Sequence, residues 1–289
     1  SIGPYVFQAS GLTSIIIPET VVSIGGSAFR DASSLTSIII PAGVTSIGSR
    51  AFDGASELTS ITVAAGNTNY KDISGVLFNS SGETIILYSP GNTRTSYEIP
   101  ASVTSIGENA FAYAYNLTSI NIPSTVVSIG SEAFYLASSL TSITIPASVT
   151  SIGSYAFSYT RNLTSITFAP DSQLTSISSS AFYQASSLTS IIIPAGVTSI
   201  GSTAFISASS LTSISIPSSV TSIGSYAFYN ATSLTTVIIA NNQVPGITSP
   251  ATGVNFFGKT VNTYNVPLTP TGISLDSYSI DENADVGNT

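Results

Sequence analysis

Serine is the side chain in this sequence that could act as a covalent nucleophile, and it recurs along the whole chain. A serine nucleophile needs a neighbouring base, and the 289 residues include no histidine. Lys71 and Lys259 are conceivable bases, but they lie far apart in irregular segments. The carboxylates are scattered, whereas acid–base catalysis needs a pair on one face. The sequence therefore predicts a protein that is not an enzyme.

Cofactor chemistry is not indicated either. The chain has no cysteine, so neither a disulfide nor a thiolate metal site can form. No glycine-rich phosphate loop follows a strand and opens a helix. We expect no metal and no cofactor.

The composition limits the partners. Only 7% of the residues are charged, against about 25% in an average protein, and the net charge is −8. Such a surface does not suit the phosphates of DNA or RNA, and no run of Lys or Arg could hold anionic lipid. Apolar runs such as Ile15–Ile17 are too short to span a bilayer. We expect no nucleic-acid partner and no membrane insertion by these residues.

An internal repeat determines the elements that position any site. Residues 35–52 and 188–205 differ only at Arg50 versus Thr203. The tetrad Leu-Thr-Ser-Ile (Leu-Thr-Thr-Val in its last copy) recurs at intervals of 23 within three triplets, starting at Leu12, Leu35, Leu58, Leu117, Leu140, Leu163, Leu188, Leu211 and Leu234. A period of 23 is typical of a solenoid and too short for a propeller blade of four strands. The first residues, SIGPYVF, align with the inside of a unit, so we expect the chain to be a piece of a longer protein without a visible signal peptide.

The unit L-T-S-I-x-I-P-x-x-V-T-S-I-G-x-x-A-F predicts a β-rich solenoid with a parallel concave sheet. Alternate Ile residues of Ser-Ile-x-Ile point inward, and Pro then ends each strand. The repeated Phe fills the convex half, the repeated Ala lets coils approach, and Gly25, Gly48 and Gly107 suit a bend with positive φ. Stacked coils bury each other's faces, so stability is a sum over neighbours. Ten strands are predicted, at 14–17, 37–40, 60–63, 96–99, 119–122, 142–145, 165–168, 190–193, 213–216 and 236–239.

Departures from the period define the domains. The solenoid covers 1–239, with an insertion at about 64–95 in which Val76–Asn79 and Thr84–Tyr88 alternate like a β-hairpin. A second break at 168–178 adds two residues and replaces the usual Gly with Ser178. Residues 240–267 predict a C-terminal cap, and 268–289 a linker followed by the first strand of another domain.

The motifs L-x-x-I-x-I-P and V-x-x-I-G-x-x-A-F at this period resemble the BspA-like (Treponema-type) bacterial surface leucine-rich repeats, over about residues 1–267. The resemblance implies a leucine-rich repeat right-handed superhelix and a secreted or surface-displayed protein that adheres to host proteins, matrix or other cells. The family often has Cys where this chain has Ala32, Ala55 and Ala137. The tail ISLDSYSIDENADVGNT resembles the first strand of a cadherin-like domain, in which a Glu such as Glu282 helps to bind Ca²⁺; the partner acidic motifs are missing here, and a plain linker strand is the favoured alternative.

The concave sheet offers the first candidate surface. Between the inward Ile residues, one outward position varies while its flanks do not, and we predict binding there, although β-branched residues also simply suit strands. This variable column consists of Ile16, Ile39, Thr62, Glu98, Asn121, Thr144, Thr167, Ile192, Ser215 and Ile238.

The outer side offers the second candidate, a set of tyrosines around the Phe positions. Tyrosine clusters serve protein and sugar recognition, but each ring could equally cover its neighbour's apolar surface. The set consists of Tyr113, Tyr115, Tyr135, Tyr155, Tyr159, Tyr183, Tyr226 and Tyr229.

Three functions fit these surfaces. The leading hypothesis is a monomeric extracellular module that binds a protein or glycan on another cell or matrix. The alternative is a passive spacer that projects another domain from the cell. Ice or mineral binding through Thr/Ser ladders is a third and remote hypothesis.

Overall fold

A computed structural model describes residues 1–239, with the side chains of Thr236, Ile238 and Ile239 excepted. This part of the chain has no helix and forms a parallel β-solenoid of about nine turns. The strands are Ser23–Ile24 (β1), Ser37–Ile40 (β2), Ser46–Ile47 (β3), Ser60–Val63 (β4), Tyr70–Ile73 (β5), Val76–Asn79 (β6), Thr84–Tyr88 (β7), Ser96–Glu98 (β8), Ser105–Ile106 (β9), Ser119–Asn121 (β10), Ser128–Ile129 (β11), Ser142–Ile145 (β12), Ser151–Ile152 (β13), Ser165–Phe168 (β14), Ser176–Ile177 (β15), Ser190–Ile192 (β16), Ser199–Ile200 (β17), Ser213–Ile216 (β18), Ser222–Ile223 (β19) and Thr236–Ile239 (β20).

The strands at the Leu-Thr-Ser-Ile tetrads, together with β8, form one wall of the solenoid, which we call the first sheet. It consists of three hydrogen-bonded segments: β2 with β4, β8 with β10, and β12 with β14, β16, β18 and β20. Equivalent residues of successive coils pair in parallel, as Ser37 with Ser60 and Ser213 with Thr236. In β2 the side chains alternate, with Ile38 and Ile40 buried and the residues between them exposed. The predicted inward Ile pattern is therefore confirmed.

One of the ten predicted strands is wrong. Residues 14–17 are not a strand, because a single backbone hydrogen bond, from Thr36 N–H to the Thr13 carbonyl, links this segment to the next coil. The other nine are present, and three of them, β8, β10 and β16, end one residue earlier than predicted.

The Val-Thr-Ser-Ile-Gly frame forms a second sheet that the sequence analysis did not predict. It consists of two-residue Ser-Ile strands, such as β9, β11 and β13, which also pair in parallel. The Ile of each such strand points to the core, as Ile106 and Ile129 do. Two sheets thus confine the apolar interior from two sides.

The repeated Phe side chains form two stacks inside the solenoid, Phe7 to Phe52 before the hairpin and Phe111 to Phe228 after it. From Phe111 to Phe228 successive rings lie 5.1–5.4 Å apart and within 9° of parallel. All of these rings are fully buried. Each such offset pair stabilises the fold by about 0.5–1.5 kcal/mol beyond the contribution of the apolar area that it buries. Stacking of these rings is therefore a main source of cohesion between coils.

The prediction of positive φ at Gly25, Gly48 and Gly107 is wrong, because none of them has it. These positions need glycine because neighbouring backbones nearly touch: a Cβ on Gly48 would lie 2.3 Å from the nitrogen of Gly26. The left-handed conformation instead occurs two residues before and two residues after each Phe. It is adopted there by ordinary side chains, such as Arg50, Tyr113, Tyr155 and Tyr159.

The predicted hairpin is confirmed, with β6 and β7 antiparallel at the predicted bounds. A third strand, β5, pairs with β6 and was not predicted. The hairpin divides the core. Leu77 and Leu87 pack with the cluster that spans Ile17 to Ile61, whereas Phe78 and Ile85 pack with the cluster that continues to Leu234.

The two extra residues of the break at 168–178 are accommodated in the second sheet. The second sheet is interrupted between β13 and β15, the strands on either side of it. Ser178 replaces glycine there, and its hydroxyl donates to the Ile152 carbonyl at 2.5 Å. The predicted cap at 240–267 and the predicted linker at 268–289 lie outside the described residues.

Candidate functional site

Apart from Ile16, which lies outside the strands, the variable column follows the first sheet. Ile16, Ile39 and Ile192 are 94%, 60% and 76% exposed. Thr62, Glu98, Asn121, Thr144 and Thr167 are also exposed, and Ser215 is half-buried. Ile238 pairs with Ser215 through the backbone, but its side chain is not described.

Pairing brings some of these residues together and not others. Ile39 lies opposite Thr62, Glu98 opposite Asn121, and Ile192 opposite Ser215. Glu98, Asn121 and Thr144 line a shallow depression of about 400 Å³, together with Ser96, Tyr97 and Ser119. The hairpin separates Ile39 from the sheet that carries Ile192.

The threonines beside this column have a structural role. The hydroxyl of each tetrad Thr donates to the carbonyl of the equivalent residue one coil earlier, as from Thr141 to Thr118 at 3.2 Å. Thr45 and Thr150 of the second frame do the same to Val22 and Val127. These hydroxyls join coils and are not aligned toward solvent.

The outer tyrosines form a row, not a set of separate rings. The row runs from Tyr113 through Tyr135 and Tyr159 to Tyr183. The ring centroids of successive members lie 5.4–5.7 Å apart, and the rings are edge-on or tilted. Tyr115 extends the row beside Tyr113. Tyr226 and Tyr229 form a separate pair. The predicted aromatic surface therefore has one extended part and one small part.

The row ends at a notch that the hairpin coil creates. In an ordinary coil, four residues (107–110) connect Ile106 of the second sheet to the stacked Phe111. In the hairpin coil Ile85 pairs with Ile106, and Tyr88 occupies the Phe position beside Phe111 at 5.2 Å. Only Ile86 and Leu87 lie between Ile85 and Tyr88. This coil therefore lacks the outer turn that residues 107–110 form in the next coil.

Side chains of the coils on either side of the notch contact one another across it. The Ser49 hydroxyl donates to Glu108 Oε1 at 3.0 Å, although the two residues are 59 positions apart. The Arg50 guanidinium forms an ion pair with Glu132, which also accepts from Asn109 Nδ2 at 3.3 Å. These contacts connect the coils before the hairpin to the coils after it.

The result is an open cleft of about 490 Å³ on the outer side. Arg30, Arg50 and Asp53 line one wall, and Glu132 and five tyrosines line the other: Tyr113, Tyr135, Tyr155, Tyr159 and Tyr183. No residue between 54 and 112 takes part, as the missing turn requires. A volume of this size falls in the usual range for small-molecule sites, roughly 300–1,000 Å³.

Burial raises the pKa values of side chains in the cleft, Asp53 and Tyr113 among them. Asp53 is 3% exposed, and loss of solvation raises the pKa of its carboxyl to about 7, with Arg50 opposing this shift and Glu132 adding to it. Burial also raises the pKa of Tyr113 to about 12. Tyr113 is therefore a neutral donor at physiological pH, and Asp53 is partly protonated.

Sequence analysis found the tyrosines of this cleft but missed its charged residues. Arg30, Arg50, Asp53 and Glu132 come from coils on both sides of the insertion, so no local motif joins them. One signal was present: Arg50 is the single difference between two otherwise identical stretches of eighteen residues.

Two other kinds of feature are absent from the described residues. Within 1–239 no group of three or more Asp or Glu residues is placed to hold a metal ion. In the same range the chain has no helix that could cross a membrane.

Comparison with known families gives a match. The model described as "BspA type Leucine rich repeat region (6 copies)" matches residues 1–94, 87–208 and 127–251. Its three segments together cover most of the chain. A search of curated proteins gives no match.

Solved structures of bacterial proteins share the fold. A leucine-rich repeat protein from Eubacterium ventriosum has 26% identity and a TM-score of 0.74, over 87% of this chain and 71% of that one. A leucine rich cell surface protein from Faecalibacterium prausnitzii has 31% identity and a TM-score of 0.57, over 80% and 61%. The pneumococcal vaccine antigen PcpA, at 21% identity and a TM-score of 0.60 over 83% and 60%, shares the fold alone. The present chain thus spans about three fifths of the second and third proteins.

Proposed function

Because the chain belongs to the BspA-type leucine-rich repeat family, we propose that it is an extracellular, cell-surface module that binds a protein through its first sheet. A surface location is supported by the leucine rich cell surface protein of Faecalibacterium prausnitzii, which has 31% identity over 80% of this chain. The partner is a protein on another cell or in the surrounding matrix, and the module acts as a monomer without catalysis.

The observation that carries this proposal is the exposure of Ile39 and Ile192 on strands of the first sheet and of Ile16 in the coil before them. Leaving a large apolar side chain in water forgoes roughly 1.5–3 kcal/mol of burial energy, which a partner can recover. Residues between these anchors are polar and almost uncharged, so recognition rests on shape and hydrogen bonds. A protein partner can offer apolar side chains and backbone donors along the several coils that separate Ile16 from Ile192, whereas a small ligand cannot.

Binding of immobilised matrix proteins and of whole cells to the chain would test this. Replacing Ile16, Ile39 and Ile192 by Glu should abolish binding, because charges would occupy the apolar contact points. Val22→Glu with Val127→Glu is the matched control, since both valines are half-exposed but lie next to the second sheet. If the control loses binding equally, or the triple Ile variant keeps it, the first sheet is not the interface.

A passive spacer is the alternative function. The Phe stacks and the paired strands on either side of the hairpin would let the solenoid project another domain from the cell. Absence of any partner in a broad screen of matrix proteins and glycans would favour it.

The geometry of the threonine ladder does not support ice or mineral binding. An ordering surface needs free hydroxyls in rows, whereas the tetrad threonines donate theirs to the preceding coil. Thermal-hysteresis measurement should show no activity.

We also propose that residues 268–289 begin a cadherin-like domain. The support is the sequence ISLDSYSIDENADVGNT alone, with Glu282 as the candidate Ca²⁺ contact. Calorimetric titration with Ca²⁺ of a chain that extends beyond Thr289, with and without Glu282→Gln, would test it. Equal Ca²⁺ affinity in both would contradict the assignment.

A further inference from the structure

We propose that the cleft at the notch, on the opposite side from the variable column, is a second binding site and that its ligand is an uncharged oligosaccharide. The cleft is separate from the first sheet, so failure of either proposal leaves the other standing.

The shape of the cleft carries the first part of the argument. A missing outer turn in one coil leaves a recess of about 490 Å³, and the coils on both sides contribute its walls. The recess is open to solvent along the tyrosine row. It therefore suits a chain of a few sugar units and not an enclosed cofactor.

The charges of the cleft exclude the ionic classes of ligand. Arg50 is already paired with Glu132, and Arg30 faces Asp31 at 3.5 Å. Buried Asp53 titrates near neutral pH, because its burial disfavours the charged form. An anion would meet carboxylates and a cation would meet guanidinium groups. A neutral ligand avoids both penalties.

The hydrogen-bonding groups fit a polyhydroxylated ligand. Carboxylates accept hydrogen bonds and guanidinium groups donate them, so vicinal hydroxyls can be held in both directions. The five tyrosines add hydroxyl groups and aromatic rings, and the C–H groups of a sugar can pack on a ring face because that face is the negative part of the ring quadrupole.

Nuclear magnetic resonance saturation-transfer experiments on the whole 289-residue chain would test the site. The probes are four neutral trisaccharides, maltotriose, cellotriose, xylotriose and tri-N-acetylchitotriose, with 3′-sialyllactose as the charged comparison. We expect at least one neutral trisaccharide to show transfer and the sialylated one to show none. Absence of transfer for all four neutral sugars, or transfer that requires the charged sugar, would overturn the proposal.

The chain offers a matched pair of variants. Tyr155 and Tyr226 occupy the same position two residues before a stacked Phe, with the same φ of 58° and exposures of 45% and 50%, but only Tyr155 lines the cleft. Tyr155→Ala should weaken binding of the responding trisaccharide at least tenfold, and Tyr226→Ala should leave it unchanged. Equal effects of the two changes would contradict the assignment. Since both alter the same conformation, a folding defect would affect both.

Discussion

Arg50 and Glu132 lie 82 residues apart in sequence, and their side chains form an ion pair over the notch in the solenoid. Asn109 donates to the same carboxylate and also lies beside Ser49, so the pair belongs to a small network. The network joins the coils before the hairpin to the coils after it.

Arg50→Thr should destabilise the protein modestly. Thr is the natural residue at the equivalent position 203, and the change leaves the shielded Glu132 carboxylate without its partner. Arg50 is itself partly exposed, so the expected loss is about 1 kcal/mol in urea unfolding. A double-mutant cycle with Glu132→Gln should give a coupling of similar size. Strictly additive effects would mean that the pair contributes nothing.

Stability should depend on pH through Asp53. The pKa of this carboxyl is raised from 3.8 to about 7 in the folded protein, so the native state holds the proton more tightly than the unfolded chain between those values. The free energy of unfolding should therefore fall as the pH rises from about 4 to about 7, by at most about 4 kcal/mol, and then level off.

Chemical denaturation across this pH range would measure the effect. Asp53→Asn, which cannot titrate, should flatten the curve over the same interval. If wild type and variant show the same slope, other groups cause the dependence.

Tyr88→Phe should stabilise the protein. Tyr88 is fully buried in the position that Phe occupies in the other coils, and its hydroxyl has no hydrogen-bond partner. Removing an unsatisfied buried hydroxyl is worth about 1–3 kcal/mol. Thermal unfolding would show a higher midpoint. Phe134→Tyr, which introduces a hydroxyl at an equivalent buried position, should lower it.

Gly48→Ala should be costly although the position has ordinary φ. The new Cβ would lie 2.3 Å from the Gly26 nitrogen, so two coils must move apart. We expect a loss of about 2 kcal/mol or more in urea unfolding. Gly11→Ala is the control, because nothing lies within 4 Å of its Cβ position. Equal effects would show that close approach is not what selects glycine.

Neighbouring hairpin residues should stabilise different halves of the molecule. Leu77 packs with the cluster before the hairpin and Phe78 with the cluster after it. Leu77→Ala should mainly raise the amide hydrogen-exchange rates of residues 24–61. Phe78→Ala should mainly raise those of residues 103–134. A uniform acceleration in both variants would indicate a single cooperative unit.

The sequence predicted those features that rest on local patterns. The Ile alternation of Ser37–Ile40 and the two hairpin strands follow from periods of two residues, which are visible in short windows. The strand Tyr70–Ile73 was missed because its residues, Tyr-Lys-Asp-Ile, show no such alternation.

The cleft could not be predicted because it depends on the length of one coil relative to its neighbours. Ile85 pairs with Ile106 at an offset of 21, and Tyr88 lies beside Phe111 at an offset of 23. This difference of two residues removes the outer turn, and only the assembled stack shows which distant side chains then meet. The repeat glycines were misread for a similar reason, since their constraint comes from the next coil and not from their own backbone.

From Ser176 onward in the described residues, successive coils pair in one register, with Ser176 opposite Ser199 and Ser199 opposite Ser222. Gene duplication or deletion of a whole 23-residue segment there would leave every junction intact. Such changes would alter the reach of the molecule in fixed increments, while the recess that contains Arg50 and Glu132 would be inherited unaltered.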